Sequence, residues 1–142
     1  MHDPNGPIFW RGHYHMFFQY NRGASVWGDM HWAHAVSDDM IHWRHLPIAL
    51  APTPGWDEAD GCFTGSAADD HGTATILYTG LKRAPRERAT LRDGHNNFRE
   101  TQCLATSSDP QLRTWEKFKQ PVIQPPDDPK ITGIRDPMAT RQ

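Results

Sequence analysis

The sequence of 142 residues predicts an all-β fold made of consecutive β-propeller blades, and three observations support this prediction. Helical periodicity is nearly absent. Short runs rich in aromatic and β-branched residues alternate with Gly, Pro, Asn and Asp, which is the pattern of short strands joined by turns. The chain also repeats itself over several tens of residues. A repeat of that length that holds several short strands is typical of propeller blades.

The repeat is clearest in two segments, 37–52 and 108–125. Each reads as Ser-Asp, a short turn, a tryptophan and then an apolar pair bounded by proline. The two tryptophans, Trp43 and Trp115, occupy equivalent positions. Most tryptophans of a small β-domain lie in its core, so we expect both of them to be buried, together with Trp32.

Two further correspondences define the units of the repeat. Segments 12–20 and 72–80 each begin with a turn glycine followed by a strand-forming run. The motif Ile134-Arg135-Asp136-Pro137 resembles Asp3-Pro4 and would begin a third unit. The sequence therefore predicts about two blades and the start of a third.

Strands are predicted wherever such runs are bounded by turn residues, at 8–10, 14–20, 31–37, 62–69, 73–80, 101–107 and 116–118. The twelve prolines suit strand edges and turns. The charged stretch 82–98 is interpreted as a long solvated loop between two strands of the second blade. The stretch 124–133, rich in Pro and Asp, is interpreted as a linker between blades.

Charge and composition exclude several classes of function. A net charge of −2 argues against nucleic acid or an anionic membrane surface as the partner. No apolar run has the length of a membrane span. Cys62 and Cys103 lack metal-type spacing and are either free thiols or one bridge. The nine histidines complete no metal pattern, and no phosphate loop or dinucleotide fingerprint is present, so neither metal nor cofactor is expected.

The sequence leaves localisation open between two alternatives. Met1 lies only two residues before Asp3, so no signal peptide precedes the first motif. The protein is cytoplasmic if Met1 is the native start, and secreted if an upstream signal is missing.

Five motifs, in this order, resemble the N-terminal part of glycoside hydrolase family 32, which contains invertases, inulinases, levanases and related β-fructosidases. They are Asp3-Pro4-Asn5-Gly6-Pro7, Phe17-Phe18-Gln19-Tyr20-Asn21, Trp27-Gly28-Asp29-Met30-His31-Trp32-Ala33-His34-Ala35-Val36-Ser37-Asp38, Cys62-Phe63-Thr64-Gly65-Ser66-Ala67 and Arg135-Asp136-Pro137. The resemblance implies a partial five-bladed β-propeller. The remaining blades and a C-terminal β-sandwich of the family have no counterpart in residues 1–142.

The resemblance also implies roles for individual residues. Asp3 would be the nucleophile. Asp136 would bind sugar hydroxyls and stabilise the transition state, with assistance from Arg135. The residues that would bind the fructosyl unit are Asn5, Gln19, Trp27, Phe63 and Thr64. One position departs from the family, which usually has asparagine where this chain has His2.

Taken alone, the two aspartate motifs have ordinary explanations. Asp-Pro-Asn-Gly is a common turn, and Arg135 beside Asp136 would be a surface ion pair of little energetic weight. The functional interpretation depends on the ordered set of motifs and on the repeat. If Asp3 and Asp136 each begin an innermost blade strand, both carboxylates line the same central cavity.

A second catalytic carboxyl group is missing from these residues. Retaining glycosidases use a nucleophile and an acid/base residue about 5 Å apart. The family supplies the acid as a glutamate in a Glu-Cys pair well after Arg-Asp-Pro. The glutamates of this chain all precede Arg135 and none is followed by cysteine; they are Glu58, Glu87, Glu100 and Glu116.

The resemblance thus implies a retaining hydrolase for terminal β-D-fructofuranosyl bonds in sucrose or fructans, with this chain inactive by itself. The chain could instead be a non-catalytic sugar-binding or interaction module, or a gene fragment without independent function. A propeller of the arabinan-degrading type is a related alternative. Open propeller edges also predict self-association.

Overall fold

The computed structural model describes residues 2–25, 28–92, 94–128 and 130–139. The fold is all-β, as predicted, and consists of two successive antiparallel sheets with orders β1-β2-β3-β4 and β5-β6-β8-β7, while β9 pairs with β8. The strands are β1 (His2–Trp10), β2 (His13–Asn21), β3 (Met30–Ser37), β4 (Trp43–Leu50), β5 (Gly61–Asp70), β6 (Thr73–Arg83), β7 (Leu91–Arg92), β8 (Asn97–Ser107) and β9 (Glu116–Lys117). A 3₁₀ helix spans Arg86–Arg88. The first sheet is a four-stranded meander, and the second sheet follows the same path through β5, β6, β8 and β9, with β7 as an additional strand. Two successive sheets of this kind are the architecture of two propeller blades.

The first hairpins of the two sheets repeat closely. The β1–β2 turn places Arg11 at φ +47° and Gly12 at φ +90°, and the β5–β6 turn places His71 at φ +50° and Gly72 at φ +89°. Both turns thus use two consecutive left-handed residues, a conformation that glycine adopts without steric cost. The repeat predicted from the sequence is therefore present in the backbone.

The third strands set the register of the repeat. Tyr14 pairs with Ser37, and the corresponding Ala74 pairs with Ser107. Ser37 is thus equivalent to Ser107 and not to Ser108, which the sequence pattern had matched to it. The pattern was misleading because the turn between Ser107 and Trp115 is two residues longer than the turn between Ser37 and Trp43.

The main core lies between the two sheets. It contains fully buried side chains from both of them, namely Phe17, Trp32, Leu50, Cys62, Ile76, Tyr78, Cys103 and Ala105. The Trp32 ring meets the Tyr78 ring edge-on with centroids 6.3 Å apart. Each sheet therefore buries one apolar face against the other, as consecutive blades do. Cys62 and Cys103 are free thiols inside this core.

The structure corrects two predictions about strands. The stretch 82–98 is not one long loop, because β6 continues to Arg83, which pairs with Phe98 at the start of β8. Strand β4 was not predicted, since it contains Pro47. It lies at a sheet edge, and Pro47 falls where the β3–β4 register shifts, a place where the missing N–H breaks no regular ladder.

The prediction that three tryptophans lie in the core is confirmed for Trp32 and is wrong for Trp43. Trp32 is completely buried, and Trp115 packs against the core from its margin. Trp43 is 40% exposed. Its local sequence matches that of Trp115, so the difference arises from what lies beside each sheet.

Candidate functional site

Asp3 stands at the start of β1 in a conformation that is unusual for its position. Its φ is +37°, although the residue before a proline normally adopts an extended conformation. The Asn5 Nδ2 donates a hydrogen bond to the Asp3 carbonyl at 2.9 Å and closes the turn. The Asp3 residue is exposed, whereas Asn5 is buried. Strained backbone held by its neighbours is frequent at functional sites.

Gly6 explains how this turn reaches the core. Its φ is +54°, and a Cβ atom there would lie 2.9 Å from the Trp32 ring and 3.2 Å from the Phe17 ring. Any side chain would therefore push β1 away from these two rings. The glycine of the Asp-Pro-Asn-Gly motif thus allows close packing under Asp3.

Gln19 lies on β2 directly across from the start of β1, where its backbone pairs with His2. The residue is 3% exposed, and within the described residues neither Gln19 Oε1 nor Gln19 Nε2 has a hydrogen-bond partner. The same holds for Asn5 Oδ1. Buried amide groups without partners cost free energy, and a polar ligand that bonded to them would recover it. Asp3, Asn5 and Gln19 are therefore brought together at one end of the first sheet.

Asp136 is attached to the second sheet. Its φ is +58°, so Asp136 lies in the left-handed region, as Asp3 does. The Asp136 N–H donates to Thr79 Oγ1 at 3.0 Å, and the Thr79 hydroxyl donates to Gln102 Oε1 at 3.1 Å. Gln102 Nε2 in turn donates to the Ile134 carbonyl at 2.7 Å. Buried side chains of β6 and β8 thus hold the third repeat unit by its backbone.

Arg135 is held by Glu100, a residue to which the sequence analysis gave no role in the site. Glu100 is completely buried, and its Oε2 accepts hydrogen bonds from Thr90 Oγ1 and from the Ile134 N–H, each at 3.0 Å. Its Oε1 lies 3.0 Å from Arg135 Nε in an ion pair. A buried carboxylate requires such compensation, so Glu100 positions the Arg135-Asp136 segment. The role of Glu100 could have been predicted from its position directly before a predicted strand, where a carboxylate needs a partner if it is buried.

Phe63 and Thr64 lie on β5, half-buried. The Phe63 carbonyl accepts a hydrogen bond from Trp32 Nε1 at 2.9 Å, which connects β5 to the first sheet beneath Gly6. The Phe63 side chain lines a cavity of about 250 Å³ together with Asp29, Asp60 and Arg83. Trp27, the remaining predicted sugar-binding residue, lies outside the described residues.

The described part of the chain contains no cluster of three His, Cys, Asp or Glu side chains suited to a metal ion. It likewise has no helix with the length and apolar character of a membrane span.

Comparisons with known proteins identify the family. The model of the glycosyl hydrolases family 32 N-terminal domain matches residues 1–142. The chain is 42% identical over 142 residues to a sucrose-6-phosphate hydrolase of Zymomonas mobilis, covering 100% of this chain and 26% of the relative. It is 46% identical over 139 residues to a raffinose invertase of Escherichia coli, covering 96% and 26%.

A solved structure agrees with these relatives. A GH32 β-fructofuranosidase of Bombyx mori is similar with a TM-score of 0.81 and 35% identity, over 100% of this chain and 27% of that protein. The chain thus spans about a quarter of the length of the proteins it matches. The chain belongs to glycoside hydrolase family 32.

Proposed function

We propose that this chain forms the N-terminal part of a retaining β-fructosidase that cleaves terminal β-D-fructofuranosyl bonds in sucrose or a fructan. The observation that carries the proposal is the pair of left-handed Asp-Pro turns at Asp3 and Asp136, which begin the first and third repeat units. The substrate class is supported by structures of relatives, one in complex with sucrose and one in complex with 1-kestose.

In the proposed mechanism the Asp3 carboxylate attacks the anomeric carbon of the fructosyl unit. The bond to the leaving oxygen breaks, its electron pair stays on that oxygen, and an acid protonates it. A fructosyl-enzyme ester remains. Water, deprotonated by the same acid/base residue, then attacks the anomeric carbon and releases Asp3. Two displacements restore the starting configuration.

The other residues of the site bind and orient the sugar. Asp136 and Arg135 form charge-assisted hydrogen bonds to ring hydroxyls, which are short and strong. Asn5 Oδ1 and the amide of Gln19, which are buried without partners among the described residues, provide further hydrogen bonds. The residues that complete the fructosyl subsite are Trp27, Phe63 and Thr64.

The acid/base residue is supplied by a part of the family fold outside residues 1–142. The two buried glutamates of this chain are both in ion pairs: Glu100 with Arg135, and Glu58 with Lys117 Nζ at 2.6 Å. Neither is therefore proposed as the acid/base residue. General acid–base help contributes about 10² to 10⁴ in rate, and missing walls of the sugar subsite add to the loss. We therefore expect the 142-residue chain alone to release no useful fructose.

The test uses this chain fused to the C-terminal portion of the Zymomonas mobilis relative, with sucrose and inulin as substrates. The fusion should release fructose with retention at the anomeric carbon, followed by nuclear magnetic resonance. Asp3→Asn should lower turnover by a factor on the order of 10⁴ or more, as loss of a covalent nucleophile does. Asp70→Asn, at the exposed end of β5, is the matched control and should keep full turnover.

Three results would contradict the proposal. They are inversion at the anomeric carbon, near-normal turnover of the Asp3→Asn fusion, and fructose release by the unfused chain well above its own Asp3→Asn variant. The last result would show that a residue of this chain supplies the proton, and Glu100→Gln would identify or exclude Glu100.

A further inference from the structure

A second polar cavity lies at the opposite end of the first sheet from Asp3. It has a volume of about 120 Å³ and is lined by His13, His15, Arg44, Gln111 and Arg113, with Val36 and Leu46 as apolar walls. His13 follows the β1–β2 turn, whereas Asp3 stands at the other end of that hairpin. The cavity shares no residue with the proposed fructosyl site.

Both sheets contribute to this cavity. His15 pairs with Val36 and Val36 pairs with Arg44 across β2, β3 and β4, so the three side chains stand side by side on one face. Gln111 and Arg113 come from the turn that precedes Trp115 in the second sheet. A ligand in the cavity would therefore contact both sheets.

His15 provides a buried polar atom without a partner. The residue is 3% exposed, and its Nδ1 lies 2.9 Å from His34 Nε2. Its Nε2 has no hydrogen-bond partner within the described residues. Burial, with a contribution from nearby His13, lowers the pKa of His15 to about 4. The ring is neutral at neutral pH, and when His34 Nε2 donates to His15 Nδ1 the single His15 proton lies on Nε2.

The charged groups that line the cavity are two guanidinium groups, and the carboxylates of Asp38 and Asp109 lie nearby. In the part of the chain that the structure describes, neither Arg44 nor Arg113 has a carboxylate within ion-pair distance. The two nearby acids have other hydrogen-bond partners. Asp38 accepts from His13 Nδ1 at 2.6 Å, and Asp109 accepts from the backbone N–H groups of Gln111 and Arg113, each at 2.9 Å.

We propose that this cavity binds a tetrahedral oxyanion, either inorganic phosphate or the phosphoryl group of a small phosphorylated compound. The polar lining consists of two guanidinium groups, two imidazoles and an amide. Guanidinium matches such an anion with paired N–H donors, and His15 Nε2 donates to it when His34 Nε2 donates to His15 Nδ1. The volume holds several water molecules and so admits one phosphate. Because both sheets line the cavity, binding of the anion stabilises the folded chain, and this stabilisation grows with the logarithm of the anion concentration above the dissociation constant.

The test is calorimetric titration of sodium phosphate into the 142-residue chain and into the fusion described above, at constant ionic strength with chloride as reference. Saturable binding is expected for phosphate and sulfate in whichever form melts cooperatively, and not for chloride. Arg44→Ala, Arg113→Ala and His15→Leu should each weaken binding about tenfold or more, which corresponds to about 1.4 kcal/mol. Arg44→Lys keeps the charge without the paired donors, so it should weaken binding and still fold.

Arg88→Ala, in the exposed 3₁₀ helix, is the matched control and should leave phosphate binding unchanged. Glucose 6-phosphate, compared with glucose, distinguishes the two sources of the anion. Tighter binding than phosphate identifies a phosphorylated compound, and equal or weaker binding identifies phosphate itself. The proposal is overturned if no saturable phosphate binding occurs in a folded form, or if Arg88→Ala weakens binding as much as Arg113→Ala. Neither result bears on the fructosidase proposal, because that proposal is tested by fructose release from the fusion and from its Asp3→Asn variant.

Discussion

The two tryptophan turns of the molecule have the same local structure and different surroundings. Trp43 Nε1 donates to the Met40 carbonyl and Trp115 Nε1 donates to the Leu112 carbonyl, both at 3.0 Å. Met40 and Leu112 both adopt positive φ, +63° and +54°. Trp115 nevertheless packs edge-on against Phe17 of the first sheet, with centroids 5.7 Å apart, whereas Trp43 is exposed.

The contrast extends to part of the sheet faces. In the second sheet Ile76 and Tyr78 are completely buried beneath the first sheet. Their counterparts in the first sheet are Met16, which is half-buried, and Phe18, which is buried; the exposed apolar side chains of that face are Phe9, Met40 and Trp43. Local sequence therefore determines the turn and the strand, while burial depends on whether a neighbouring sheet is present. The first sheet offers the face that a preceding blade would cover.

The largest expected effect concerns the two tryptophans. Trp115→Ala should lower the free energy of unfolding by about 3 kcal/mol, because truncating a packed tryptophan loses contacts and leaves a cavity. Trp43→Ala should cost less than about 1 kcal/mol, because that ring already contacts solvent. Denaturant unfolding of both variants in the 142-residue chain, at low protein concentration, measures the difference, because Trp43 is exposed in that chain. Equal losses would show that the turn itself, and not the contact with Phe17, stabilises the fold.

This comparison also shows what the sequence could predict. Most of the strands, the repeat and the motifs at Asp3 and Asp136 follow from local patterns, so their positions were predicted, whereas strands β4 and β7 were not. The exposure of Trp43 and the partners of Asp136 depend on contacts between distant segments. Thr79 and Glu100 bind the Asp136 segment across 57 and 34 residues of chain, respectively. No local pattern encodes such pairings, so the roles of these two residues became visible only in the folded chain.

A second difference between the sheets predicts pH-dependent stability. His15 and His34 form a buried pair in the first sheet, and the equivalent residues of the second sheet are Thr75 and Leu104. Burial is the main cause that lowers the pKa of His15 to about 4 and that of His34 to about 3, from about 6.5. Between these values the unfolded chain binds more protons than the folded chain. Stability is therefore complete above pH 6.5 and falls as the pH decreases toward 4.

The expected loss over this pH range is on the order of 1–3 kcal/mol, measured by denaturant unfolding in phosphate-free buffers. His34→Leu introduces the residue type found at the equivalent position of the second sheet, Leu104, and should reduce the pH dependence of stability. His71→Gln, at an exposed turn, should leave it unchanged. Asp39 and Asp109 do not contribute here, since hydrogen bonds from His42 and from the Gln111 N–H, respectively, lower their pKa values below the usual aspartate range. If the stability of His34→Leu depends on pH as strongly as that of the unchanged chain, the His15–His34 pair is not the cause of the pH dependence.

The smallest expected effect concerns association through the uncovered face of the first sheet. That face displays Ile41 and Trp43 beside a groove lined by Phe9, Tyr14 and Met16. Exposed apolar patches and unpaired sheet edges promote association, so the 142-residue chain should form oligomers or aggregate. Sedimentation velocity of Ile41→Lys and Trp43→Glu should show dissociation constants raised about tenfold each, or about 1.4 kcal/mol.

Val122→Lys separates this face from other exposed apolar positions. Val122 is 49% exposed, between Trp43 at 40% and Ile41 at 76%, but it lies after β9, beside the second sheet, so its substitution should leave association unchanged. If all three variants dissociate the oligomer equally, association is a general consequence of exposed apolar surface and has no preferred face. If the chain is instead a monomer with a sharp, cooperative melt, the two sheets suffice as a small fold. Trp43 would then be solvent-exposed in the stable protein. The comparison with Trp115 would no longer imply that another sheet packs against the first one.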